Sequence, residues 1–386
     1  MRFLCLLAAA AIAVGTAGCY LSHELDDTPV PETFEECDPV ATSDAPGASA
    51  VDVDLLFVVD NSNSMTEEQV SLAAEIPALI RALATGDVGA DGVLDFTPVR
   101  SLHLGVVSTD MGTGGFTIPT CDEPERGNDG ILRTEGRDAP PCEESYPAFL
   151  EYADESGDPD GVARDFACVA AMGTGGCGFE QQLEAMLKAL TPSSSPTTFV
   201  HGTVGHGDVA NAGFVREGSV LAFVILTDEE DCSAADPELY YASSSIYSGN
   251  LNLRCFSYPG ALHPVDRYVS GLSALRASRP ESLVVAAVAG VPPHLVADPE
   301  RIDYAALLAD DLMQETVDPA DGNRLRPSCN VPGRGLAFPP RRIVEMVSAF
   351  GDRGIVQSIC QDDFSPVVGA IADRLAVAIR RTACER

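Results

Sequence analysis

The sequence predicts an α/β protein built on an open, mostly parallel β-sheet with helices on both faces. Three observations carry this. Short, wholly apolar runs recur, notably Leu55 to Val59 and Val220 to Thr227, and such runs suit strands buried on both sides. Between them lie segments with apolar residues at helical spacing. The two kinds of segment alternate along the chain, as they do when each parallel strand is followed by a crossover helix.

In chain order, residues 1–18 read as an export signal: one arginine, an apolar stretch, then small residues before Cys19. Ala17-Gly18-Cys19 resembles the bacterial lipoprotein cleavage site, with Cys19 as the lipidated residue of a cell-envelope lipoprotein. Thr16 departs from the leucine usual at that place, which leaves plain secretion as the alternative. Residues 19–50 are acidic and rich in Pro, Ser and Thr, the composition of a flexible tether. Residues 51–386 form the folded domain.

Its first strand, Val51 to Val59, begins with valines alternating with acids and ends as unbroken apolar sequence. Thr66 to Thr85 is helical, with Leu72, Ile76, Leu79 and Leu83 on one face. Pro77 inside it predicts a kink or a break, and Ser64 with Glu67 has the spacing of a capping box. Leu102 to Val107 is the second strand. Residues 112–165 are Gly-, Pro- and acid-rich with no sustained period, and read as a loop-like, disulfide-closed insertion. Phe179 to Leu190, Arg267 to Ala277, Arg342 to Phe350 and Pro366 to Thr382 are predicted helices; Leu283 to Val288 and Gly354 to Cys360 are predicted strands.

The chain carries 58 acidic against 24 basic residues, a formal charge of −34, and Lys188 is its single lysine. Such a surface repels phosphate backbones and excludes nucleic acid as a partner. Of twelve cysteines, ten remain once Cys5 and Cys19 are set aside, an even number in an exported chain, as a disulfide framework requires. Proximity in sequence suggests Cys121–Cys142, Cys168–Cys177, Cys232–Cys255 and Cys329–Cys360, with Cys37–Cys384 tying the ends. No CxxC zinc pair is present.

The chemistry concentrates at two strand ends. The first strand runs into Asp60-Asn61-Ser62-Asn63-Ser64, in which Asp60, Ser62 and Ser64 alternate and so face one point above the sheet's carboxyl edge. Carboxylates and hydroxyls are hard ligands for Mg²⁺, Mn²⁺ or Ca²⁺. Val220 to Thr227 runs into Asp228-Glu229-Glu230-Asp231. The Asp-x-Ser-x-Ser pattern, with the apolar strand before it and Met65 after it, resembles the metal-ion-dependent adhesion site of von Willebrand factor type A (vWA) domains. The resemblance implies a vWA/Rossmann-like sheet and a divalent cation, Mg²⁺ first. It gives Asp228 the role of completing the metal shell and gives a middle loop, Gly173 to Gly178, the role of supplying a threonine. Thr174 is the one hydroxyl there; a tighter register puts Cys177 in its place. It further implies an open coordination position for a carboxylate on a protein or glycan ligand, hence a binding or adhesion protein rather than an enzyme. A structural scaffold of an envelope assembly, or a secreted metal-dependent hydrolase, are the alternatives.

Other motifs carry little. Gly173, Gly175 and Gly178 satisfy G-x-G-x-x-G by coincidence, without a strand clearly before them. Ser156, Asp158, Asp160 and Gly161 lack the closing glutamate of a Ca²⁺ loop, since Ala167 stands there. No HExxH, G-x-S-x-G or phosphate-binding lysine motif occurs.

Overall fold

The computed structural model describes residues 51–137, 141–154, 157–331, 335–361 and 363–384. The signal, the tether, Cys19 and Cys37 lie outside these residues, as do the side chains of Glu67, Leu72 and Cys384, so the expected Cys37–Cys384 bond falls outside the description.

Strands β1 (Asp52–Val59), β2 (Ser101–Ser108), β3 (Leu150–Ala153), β4 (Val220–Leu226) and β5 (Leu283–Ala289) belong to the central sheet. Two small antiparallel hairpins follow, β6 (Val317–Asp318) with β7 (Asp321–Leu325) and β8 (Cys329–Val331) with β9 (Gly335–Ala337). β10 (Gly354–Ser358) completes a six-stranded sheet of order β10-β5-β4-β1-β2-β3. All its pairings are parallel except β2 with β3. The helices are α1 (Thr66–Thr85), α2 (Pro159–Ala170), α3 (Gln182–Leu190), the short α4 (Arg254–Ser257), α5 (Val265–Ala274), α6 (Tyr304–Ala309), α7 (Arg341–Ser348) and α8 (Ser365–Cys384). No described helix is long and apolar enough to cross a membrane.

The unbroken apolar strands are buried because both faces of the sheet are covered. Val53, Leu55, Phe57 and Val59 of β1 pack with Ile76, Leu79 and Leu83 of α1, Phe166 of α2 and Leu375 of α8. The alternate residues Leu56 and Val58 pack with Leu183 and Leu187 of α3, Leu272 of α5 and Val344 of α7. This is the period-two alternation of a strand read against two helical layers.

The acids early in β1 are buried and paired: Asp54 is fully buried, accepting from Arg216 Nε at 2.7 Å and Ser219 Oγ at 2.6 Å, and Asp52 pairs with Arg100. Three expectations are corrected. α1 runs unbroken through Pro77. It ends where Gly86, at φ +74°, takes the left-handed conformation and its N–H reaches Ala82 O at 2.8 Å. Residues 112–149 are loop-like where described, as expected, but 150–165 supply the antiparallel edge strand β3 and the first turns of α2. The segment is not closed on itself. Its two cysteines bond onward, as Cys121–Cys177 and Cys142–Cys168, and not as the expected Cys121–Cys142 and Cys168–Cys177. The folded chain brings residues 56 and 26 positions apart together, so nearness in sequence is the wrong guide. Cys232–Cys255 and Cys329–Cys360 pair as expected.

Candidate functional site

β1 and β4 are adjacent and parallel, so their following turns sit side by side at the carboxyl edge. Asp60 N donates to Leu226 O at 2.9 Å, carrying the ladder one step past the strands. Asp60 is fully buried; its Oδ1 accepts from Ser62 N at 2.8 Å and its Oδ2 from Thr227 Oγ1 at 2.6 Å. The Ser62 and Ser64 hydroxyls lie 3.0 Å apart, and Ser64 Oγ donates to Asp228 Oδ1 at 3.2 Å. Four of the five residues singled out by sequence are thus drawn together, across 164 positions between Ser64 and Asp228. The expected capping box involves the side chain of Glu67 and so lies outside the described residues; the hydroxyl of Ser64 donates to Asp228, and α1 begins after a 3₁₀ turn, Asn63–Met65.

Thr174 is the exception. It stands half-buried on a groove beside α1 and α2, not on the cavity that Ser62 and Ser64 line. The part of the middle loop facing that cavity is Gly176 to Glu180. Gly176 N donates to Asn61 O at 2.9 Å, and a side chain at 176 would run into the Asn61 amide. Cys177 is bonded to Cys121 and offers no thiolate. Gln69, from α1, ties the loops together, donating to Asp60 O at 2.7 Å and Gly173 O at 3.0 Å.

The sequence reading missed Glu180 and undervalued Glu229. Both line a cavity of about 350 Å³ with Ser62, Ser64, Phe179 and Phe338. Their carboxyl groups lie close enough to perturb one another's ionisation. Burial, then the Glu229 and Asp60 charges, pushes Glu180 well above the usual carboxylate range. Burial, then Asp60 and Glu229, does the same to Asp228. Burial and Asp60 push Glu229 up to about 7, opposed by Glu180. Burial raises Asp60 too, opposed by Thr227 and Ser62. Among the described residues no Arg, Lys or His forms an ion pair with any of these four. Burying several carboxylates without a counter-charge is costly, and a cation is the natural remedy. Asp228 Oδ2 is the sharper sign: it is buried and has no hydrogen-bond partner among the described residues.

A separate triad, Asp110, Cys121 and Cys177, has ligand atoms within 4.8 Å of one another. Both sulfurs belong to the disulfide, so it is not a thiolate metal site.

No protein-family model matches this chain, and no curated protein matches it significantly.

Proposed function

We propose that this is a vWA-like binding protein, exported and lipid-anchored through Cys19, that engages a partner through a divalent cation held by Asp60, Ser62, Ser64 and Asp228. The observation that carries the reading is the unpartnered, buried Asp228 Oδ2 beside two hydroxyls only 3.0 Å apart. These residues are hard oxygen donors that suit Mg²⁺, with Ca²⁺ or Mn²⁺ as alternatives. The strand order, β3-β2-β1-β4-β5-β10, also supports it. The chain moves outward from β1 in both directions, and doubly wound sheets keep their ligands at that switch point.

When bound, the cation would supply an electrophilic position for an exposed carboxylate on a protein or glycan ligand. The chain's own residues do the rest. Thr227 and the Ser62 amide fix both oxygens of Asp60. Gln69 and Gly176 hold the turn to the middle loop. Glu180, rather than Thr174, offers the middle-loop carboxylate facing the same cavity.

Thermal melts test the reading. Mg²⁺ at about 100 times its Kd should add about 2.7 kcal/mol to wild-type stability. Asp60→Ala should show no such gain, and a chelator should release captured partners. Equal melting of both proteins with and without Mg²⁺ rules out the cation.

A further inference from the structure

The groove that holds Thr174 lies away from the Ser62 cavity, is about 710 Å³, and runs between α1 and α2. Three arginines converge on it, Arg133, Arg137 and Arg164, and among the described residues none that lines it is acidic. In a chain of charge −34 that is an unusual local balance. Among the described residues Arg133 and Arg137 form no ion pair, and Arg164 has Asp165 at 3.7 Å as its one partner. Arg133 is half-buried and spends its Nε on the Glu135 carbonyl at 3.0 Å. The opposite wall is apolar: Val70, which is 63% exposed, with Ala74, Pro77 and Met172.

We propose that this groove is a second, cation-independent docking site for an acidic peptide segment of a partner, in which carboxylate side chains alternate with apolar ones. Guanidinium groups recognise carboxylates with paired, directional hydrogen bonds. In an extended strand successive side chains point to opposite sides, so one set of alternating residues meets the arginines while the other meets the Val70 wall. A glycan fits less well. Among the described residues the lining holds no aromatic ring for a sugar face to stack on, and its one side-chain amide, Gln69, is already committed to Asp60 O and Gly173 O.

The probe is a short fluorescent peptide of alternating glutamate and leucine, titrated against the full chain and read by anisotropy. Binding is expected to weaken as salt rises, to be unchanged by chelator, and to survive in the Asp60→Ala variant, which separates this site from the cation site. The double reversal Arg137→Glu/Arg164→Glu, at exposed positions, should weaken binding by about tenfold or more while leaving the melting transition in place. A milder variant, Arg133→Gln, should also weaken it. Absence of binding, an affinity indifferent to the reversals, or an acidic oligosaccharide that binds more tightly than the peptide would each overturn the proposal.

Discussion

Single side chains decide whether a buried charge is tolerated here. Lys188, the chain's one lysine, is fully buried in α3 and is held by Asp129 and by Thr203 Oγ1 at 2.8 Å. Burial alone would raise Asp129, but hydrogen bonds from His206 and Lys188 outweigh it and hold the carboxyl below its usual range. A depressed carboxylate stabilises the fold above its unfolded pKa, and that contribution fades as pH falls through the lower, folded value. Asp129→Asn strands the ammonium and should cost about 3–5 kcal/mol at neutral pH. Its denaturation midpoint should also fall less steeply on the acid side than that of the wild type. At the proposed cation site, Glu180→Gln should reduce the Mg²⁺-induced rise in melting temperature, whereas Thr174→Ala should leave it unchanged. The reverse result would restore Thr174 as the middle-loop ligand. Asp60, Ser62, Ser64 and Asp228 were legible in the sequence because they cluster in the turns that follow two unmistakable buried strands. Glu180 was not, since it sits in an irregular loop whose direction is set by tertiary contacts, among them the Cys121–Cys177 bond, the Gly176–Asn61 contact and the bond from Cys232 N to Glu180 O.

At the scale of elements, legibility followed length and hydrophobic continuity. β1, β4, β5 and α8 announce themselves through long apolar or amphipathic runs. β3 does not, because Leu150–Ala153 offers four residues with a half-exposed pattern that earns its place by pairing with β2. α2 was ambiguous because short apolar runs suit either structure; Asp158 resolves it by capping the helix, accepting from Gly161 N at 2.8 Å. Pro77 does not break α1, since packing of Ile76, Leu79 and Ile80 into the core keeps the helix continuous through it. Tertiary burial overrode the local preference. Pro77→Ala restores a backbone donor and should raise stability by about 1–3 kcal/mol in urea unfolding. In the middle loop, Gly176→Ala should act oppositely. Its methyl would displace the Asn61 amide and with it the Asp60 turn, so Mg²⁺ affinity should fall while the rest of the fold keeps its melting profile.

The whole molecule is governed by its cross-links and its charge. The Cys121–Cys177 bond closes the longest loop of the four described and ends three residues before Glu180, so it both restrains the unfolded chain and aims the middle loop. Replacing both cysteines by serine should cost about 2–4 kcal/mol and weaken Mg²⁺ binding, whereas replacing Cys329 and Cys360 should cost stability alone. Non-reducing peptide mapping that recovered Cys121 joined to Cys142 would reject this account. A formal charge of −34 sets the background for every cation experiment. Self-repulsion of that size is screened by any salt, with a Debye length of about 10 Å at 0.1 M, so NaCl alone should raise the melting temperature. A site that holds one divalent ion has a different signature. At matched ionic strength MgCl₂ should stabilise beyond NaCl, the excess should saturate with concentration, and Asp228→Ala should erase the excess while keeping the salt response. If MgCl₂ and NaCl coincide at equal ionic strength in the wild type, the buried carboxylates are neutralised by protons alone and the cation is not part of the fold.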